Sequence, residues 1–132
     1  MRFLSIFTAA LLFSFPVFAD ESAYTGAALH WLKMVDAGQY EQSWEQAAPY
    51  FRQKVNSTEW QELVSGVRAP LGTLVKRELR GARAYTSLPG APAGQYQVIE
   101  FLAHYQLKPE AIETVTVRKL PQGWYVVGYF IR

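Results

Sequence analysis

A single change of hydrophobic period, from near 3.6 to 2, predicts an α+β domain with about three N-terminal helices packed on a curved, cone-like, four-stranded antiparallel sheet. Up to Gly72 apolar residues recur at i, i+3, i+4 and i+7, and beyond it they alternate with polar ones. The later alternating segments are separated by runs too short for a parallel crossover, so the sheet must be an antiparallel meander. Helices first and strands after place the helical stripes on one face of the sheet.

The first element is read over residues 22–37, with Ser22 as its cap and Ala28, Trp31, Leu32 and Val35 as its apolar stripe. Gly38 stands in the position favoured just past a helix C-terminus. A second helix starts at once and turns Tyr40, Trp44 and Ala47/Ala48 to one side. Pro49 lacks an N–H and disfavours helical geometry at Ala48, so that helix should break there and a short further turn should carry Phe51 and Val55. In "NSTEWQELVSGVRAPLG", Ser57 or Thr58 is expected to cap a third helix with Trp60, Leu63, Val64 and Val67 inward, and Pro70 and Gly72 to stop it.

"TLVKRELRGARAYTS" reads as one strand, bulged or bent at Gly81. Its charges, Arg77 and Arg83 on one parity and Lys76 and Arg80 on the other, straddle the strand as on a solvated edge that resists aggregation. "SLPGAPAGQY" is a loop. "YQVIEFLAHYQL" alternates cleanly, Lys108-Pro109-Glu110 turns it, "AIETVTVRKL" returns, and Pro121-Gln122-Gly123 leads into "WYVVGYFIR". In this last stretch both parities are apolar, Trp124, Val126 and Phe130 against Tyr125, Val127, Tyr129 and Ile131. That predicts a strand covered on both faces.

Before all this stands "MRFLSIFTAALLFSFPVFADES". One early cation, Arg2, precedes an apolar run from Phe3 to about Phe15, and Val17-Phe18-Ala19 ends it with the small or branched residues a signal peptidase accepts. Residues 1–19 are therefore read as a secretory signal cleaved between Ala19 and Asp20, and residues 20–132 as one domain. The apolar run is shorter than the roughly 20 residues of a spanning helix, so no membrane insertion is expected once it is removed. There is no cysteine, hence no lipid anchor, disulfide or thiol chemistry. The product is read as soluble and exported, in the periplasm. Removing Arg2 from thirteen basic residues leaves twelve against eleven acidic ones, a net charge of +1 that offers nucleic acid no surface.

"LKMVDAGQYEQSWEQAAPYF", "VRAPLG", "SLPGAPAGQYQVIEF" and "ETVTVRKLPQGWYVVGYFIR" resemble the bacterial domain-of-unknown-function family 4019 over nearly the whole mature chain. The layout is also similar to the cone-shaped fold of the nuclear-transport-factor-2-like and cystatin-like groups. The resemblance implies no activity, cofactor or catalytic residue that could be carried to a position in this chain.

The candidate chemistry is thin. Two histidines, His30 and His104, with no cysteine and no ligand spacing, make no zinc site. No cofactor is implied either: the glycines of "PGAPAG" fit no phosphate loop, and Ser43, Ser57, Ser65 and Ser87 have no nucleophile context. Glu100 and His104 share a strand face and are the general-base candidates, yet four residues separate them by roughly 14 Å. Folding the hairpin about Pro109 places Arg118 or Lys119 opposite Glu100, where an ion pair would occupy it. Trp31, Trp44, Tyr50, Tyr105 and Tyr129 are candidates to line an apolar pocket, or else to fill the core. The sequence thus reads as a non-catalytic binding or accessory module for a small apolar ligand or a protein partner. The rival readings are a small enzyme using Glu100 or His104, and a homodimer joined through the outer sheet face.

Overall fold

A computed structural model describes the backbone of residues 18–132 and the side chains of residues 21–132. The apolar run and Val17 of the proposed signal lie outside the described residues.

The helices are α1 (Phe18–Asp36), α2 (Tyr40–Glu45), α3 (Pro49–Lys54) and α4 (Ser57–Arg68), followed by a 3-10 turn at Ala69–Leu71. In α1 the expected stripe of Ala28, Trp31, Leu32 and Val35 is fully buried. Ser22, however, lies inside the helix rather than capping it. The break at Ala48 is present, with extended ψ of 151° ahead of Pro49. Its N–H, freed from any helix, donates to Val126 O at 2.8 Å and docks the helical layer on the sheet. The cap of α4 is Asn56, not Ser57 or Thr58. Its Oδ1 accepts from Glu59 N at 2.9 Å while its Nδ2 donates to the Glu59 carboxylate at 2.6 Å, a reciprocal cap one residue earlier than expected. Of the α4 stripe only Trp60 and Val64 are inside. The third buried position is Arg68, while Leu63 and Val67 are exposed.

The sheet is a four-stranded antiparallel meander in the order β1-β2-β3-β4, with β1 (Leu74–Tyr85), β2 (Tyr96–Tyr105), β3 (Lys108–Leu120) and β4 (Gly123–Ile131). Ile99, Phe101, Val115, Val117 and Val126 form its core side, against α1 and Trp60 and Val64 of α4. Four register slips interrupt the ladders, and three of them, two in β1 and one in β4, explain most departures from simple alternation.

In β1 the pairing slips at Val75 and again at Arg80, beside Gly81. Each slip inserts one residue and reverses parity. Arg77 pairs with Ala103 on the core side, whereas Arg83 pairs with Val98 on the outer side. The expected solvated edge is therefore corrected for Arg77, whose side chain is only 8 % exposed. In β4 the slip lies between the Gly128 and Val126 pairings, which moves Tyr129 opposite Val115 in the core and Phe130 opposite Thr114 on the outer side. Covering on both faces is corrected as well: β4 is an edge strand, and Phe130 is 58 % exposed.

The β2–β3 turn is Gln106–Leu107, two residues earlier than Lys108-Pro109-Glu110, because its N–H groups are held by Thr73 O (2.8 Å) and Leu71 O (2.9 Å). Pro109 falls instead in the irregularity between the Ala103 and Tyr105 pairings, where no ladder N–H is required of it. The shifted register puts Thr114, not Arg118 or Lys119, opposite Glu100. Arg118 lies four pairs further on, opposite Tyr96, where the 86–95 loop folds over both. Tyr96 Oη donates to Pro92 O and Arg118 Nη2 to Ala93 O.

Candidate functional site

The interior holds a charged cluster that the alternation of β3 makes unavoidable. Ala111, Glu113, Val115 and Val117 all point to the core side and have almost no exposed surface, so Glu113 is carried inside with its apolar neighbours. A buried carboxylate must be paired. Glu113 Oε1 accepts from Arg77 Nε at 2.7 Å, and Oε2 accepts from the Tyr129 hydroxyl at 2.5 Å. The far side of the Arg77 guanidinium donates to Asp36 at the end of α1, from Nη1 at 2.8 Å and Nη2 at 3.0 Å. Arg68, from the last turn of α4, adds a third bond to Asp36 through Nη2 at 2.8 Å. Its guanidinium lies over the Tyr105 ring, 4.9 Å from the centroid. The cluster therefore ties α1 and α4 to β1, β2, β3 and β4 with two carboxylates and two guanidiniums, a formally neutral set.

Burial pushes the Asp36 carboxyl up, but the hydrogen bonds and charges of Arg77 and Arg68 outweigh it and hold the group below its ordinary value. Arg77 is driven the other way: burial disfavours its charge, and its bonds to Asp36 and Glu113 more than restore it. For Tyr129 and Tyr105 burial comes first and the negative charge of Glu113 second, and both hydroxyls are pushed well above the ordinary tyrosine value. The Tyr105 hydroxyl lies beside Glu113 without meeting hydrogen-bond geometry.

The arrangement has a chemical consequence. Asp36 accepts three hydrogen bonds and Glu113 two, so each carboxylate is already engaged by the cluster's own donors. The spare capacity is in donors: Arg68 Nε and Nη1 are buried and make no hydrogen bond. Arg68 is also part of the wall of a cleft of about 470 Å³, shared with Val35, Asp36, Tyr40, Ala69, Gly72, Thr73 and Leu74.

The aromatic candidates fall in different places. Trp31 and Tyr129 pack against each other with centroids 5.5 Å apart, and both contact Trp60. The indole N–H groups of Trp31 and Trp60 both end on Ser43, at its carbonyl and hydroxyl, so that serine joins the helices. Trp44 donates to Val55 O, and Tyr50 reaches across to Gly90 O. Only Tyr105 and Tyr129 enter the cluster.

Glu100 and His104 are on the outer side of the sheet, away from it. Glu100 lines a separate cleft of about 390 Å³ with Arg80, Arg83 and Tyr85. His104 is held by Pro109 O at 2.7 Å and stands 3.7 Å from Glu78, so the two candidates share no site. His30 is exposed on α1. Among the described residues no His, Asp and Glu side chains gather into a group able to hold a metal ion.

A family model described as a protein of unknown function (DUF4019) matches residues 27–129. The chain belongs to the DUF4019 family. The matched span contains every member of the cluster, from Asp36 to Tyr129. No curated protein and no solved structure matches the chain.

Asp36, Arg68 and Glu113 are not among the candidates the sequence offers, and Arg77 reads there only as a charge on a solvated edge. One signal could have found them: Glu113 is a charge at an apolar-parity position, and such a residue needs buried cations nearby.

Proposed function

We propose that this DUF4019 protein is an exported, non-catalytic binding module for a small, largely apolar ligand that carries an acceptor oxygen. The ligand would enter the cleft between the end of α1, the 3-10 turn and the start of β1, and its oxygen would meet Arg68. The observation that carries this reading is that both carboxylates are engaged by the cluster's own donors while Arg68 Nε and Nη1 make no hydrogen bond. A buried donor left unmade costs about 1–3 kcal/mol, so an acceptor supplied there gains correspondingly. Val35, Ala69 and Leu74 give the cleft apolar wall for the rest of the ligand. Export is supported by the Arg2–Ala19 segment and is consistent with the described residues having no helix long and apolar enough to cross a membrane.

The experiment is native mass spectrometry of the protein recovered from the periplasm. Its N-terminus should read Asp20, and it should carry an added mass that is lost in Arg68→Lys, a change that keeps the cation beside Asp36 but removes the fork of donors. Thermal melting of the variant establishes that it folds. A wild-type protein that flies at the bare mass of residues 20–132 refutes binding, and intact Met1 in a membrane fraction refutes export.

A further inference from the structure

The side of the sheet facing away from the helices presents a different surface. Cross-strand rows run Glu78, Leu102, Ile112; then Gly81, Glu100, Thr114, Phe130; then Arg83, Val98, Thr116, Gly128. The next row, Tyr85, Tyr96, Arg118 and Tyr125, is the one the 86–95 loop shelters at Tyr96 and Arg118. Over the other rows Leu102, Ile112 and Val98 are half-buried, and Phe130 stands largely in solvent.

Charge on this face is mixed in sign: Glu78 pairs with Lys76 at 3.2 Å and stands 3.7 Å from His104, whereas the charges of the neighbouring cleft do not pair. Arg80, Arg83 and Glu100 line one cleft, yet none of their side chains makes a hydrogen bond or an ion pair among the described residues. Opposite charges that do not meet within one copy, Glu100 against Arg80 and Arg83, flank a strip of Val98, Leu102, Ile112 and Phe130 and can be met by a second copy. A two-fold axis would set each copy's carboxylate against the other's guanidinium, and such isologous contacts are the commonest route to soluble oligomers. Sheets stacked in this way lie about 10 Å apart, close enough to remove Phe130 from water.

We propose that this outer sheet face joins two copies of the chain, with Glu100 of each copy opposite Arg83 of the other and Phe130 at the apolar strip. The inference is independent of the ligand reading, because it uses the opposite face of the sheet from the cluster.

Sedimentation equilibrium of the exported protein over a range of micromolar concentrations tests it. The wild type should be a dimer, and Phe130→Glu should weaken association by roughly 30-fold or more, as for a central anchor residue. Glu100→Arg should also give monomer, and adding Arg83→Glu to it should restore the dimer. All three substitutions lie at solvent-facing or half-exposed positions, and circular dichroism establishes that each variant is folded. A wild type that stays monomeric at every concentration overturns the proposal. So does a dimer indifferent to Phe130→Glu, or a double reversal that fails to restore association.

Discussion

Replacing Glu113 with glutamine tests the central physical claim, that the interior is held by a balanced set of charges. The side chains have the same shape and Glu113 has no exposed surface, so the change creates no cavity and alters no contact with water. Two things change. The set of two carboxylates and two guanidiniums acquires one uncompensated positive charge, and an amide NH₂ replaces one acceptor oxygen. The glutamine carbonyl can still accept from Arg77, and the Tyr129 hydroxyl can turn to accept from the NH₂, so both hydrogen bonds survive in weakened form. The charge does not survive. Removing one partner of a buried pair costs about 3–5 kcal/mol, and because Arg77 keeps Asp36 the lower end applies. Against a total stability of about 5–15 kcal/mol, a loss of about 3 kcal/mol should lower the melting temperature by roughly 10 °C or more. Urea unfolding gives the free energy directly. Glu78→Gln serves as the control: it disrupts the solvent-exposed pair with Lys76, 3.2 Å apart, and should leave the midpoint where it was. If Glu113→Gln unfolds within about 1 kcal/mol of wild type, the range of a solvent-exposed ion pair, the cluster does not hold the fold.

Three further outcomes concern the same groups and the α4 cap. The Asp36 carboxyl titrates below its ordinary 3.8 when folded, so its contribution is present above that pH and is lost as acid takes the solution down through the folded value; Asp36→Asn should lack this acid limb in a stability–pH curve. Tyr129 and Tyr105 titrate above the ordinary 10.0, so their contribution is full below pH 10.0 and lost as the pH rises beyond it, and the part of the tyrosinate absorbance that Tyr129→Phe removes should appear together with unfolding rather than ahead of it. Asn56→Ala should cost about 1 kcal/mol in urea unfolding, whereas Thr58→Ala, which removes no cap, should cost measurably less.

The element order, the antiparallel meander and the stripe of α1 were all legible, because periodicity and turn residues act locally. Register was not. Arg77 and Arg83 are both odd-numbered and six residues apart, which in a regular strand places them together; the bulge at Arg80 separates them, and Gly81 was the one local hint of it. Likewise nothing in "WYVVGYFIR" marks the slip that exchanges Tyr129 for Phe130 as the inward residue. A bulge is set by how two strands fit across the sheet, and a single strand does not contain that information.

The buried cluster also shows why searching first for histidine and for a paired glutamate led to the outer face. Glu100 and His104 occupy the outer parity of β2, half-buried beside Val98 and Leu102, where a titratable group keeps part of its hydration. Glu113 occupies the apolar parity of β3, between Ala111 and Val115, where an unpaired carboxylate would lose its charge or unfold the strand. Such a residue persists only if cations arrive from elsewhere in the chain. Arg77 can supply one because the slip at Val75 turns it inward, and Arg68 because it sits at the end of a helix whose inner positions are i, i+4 and i+8 from Trp60. Two arginines on the same interior surface then require a second carboxylate, and Asp36 closes the set at the last turn of α1. One charge in an apolar row therefore dictates three more, on three other elements, and with them the place where a donor is left over.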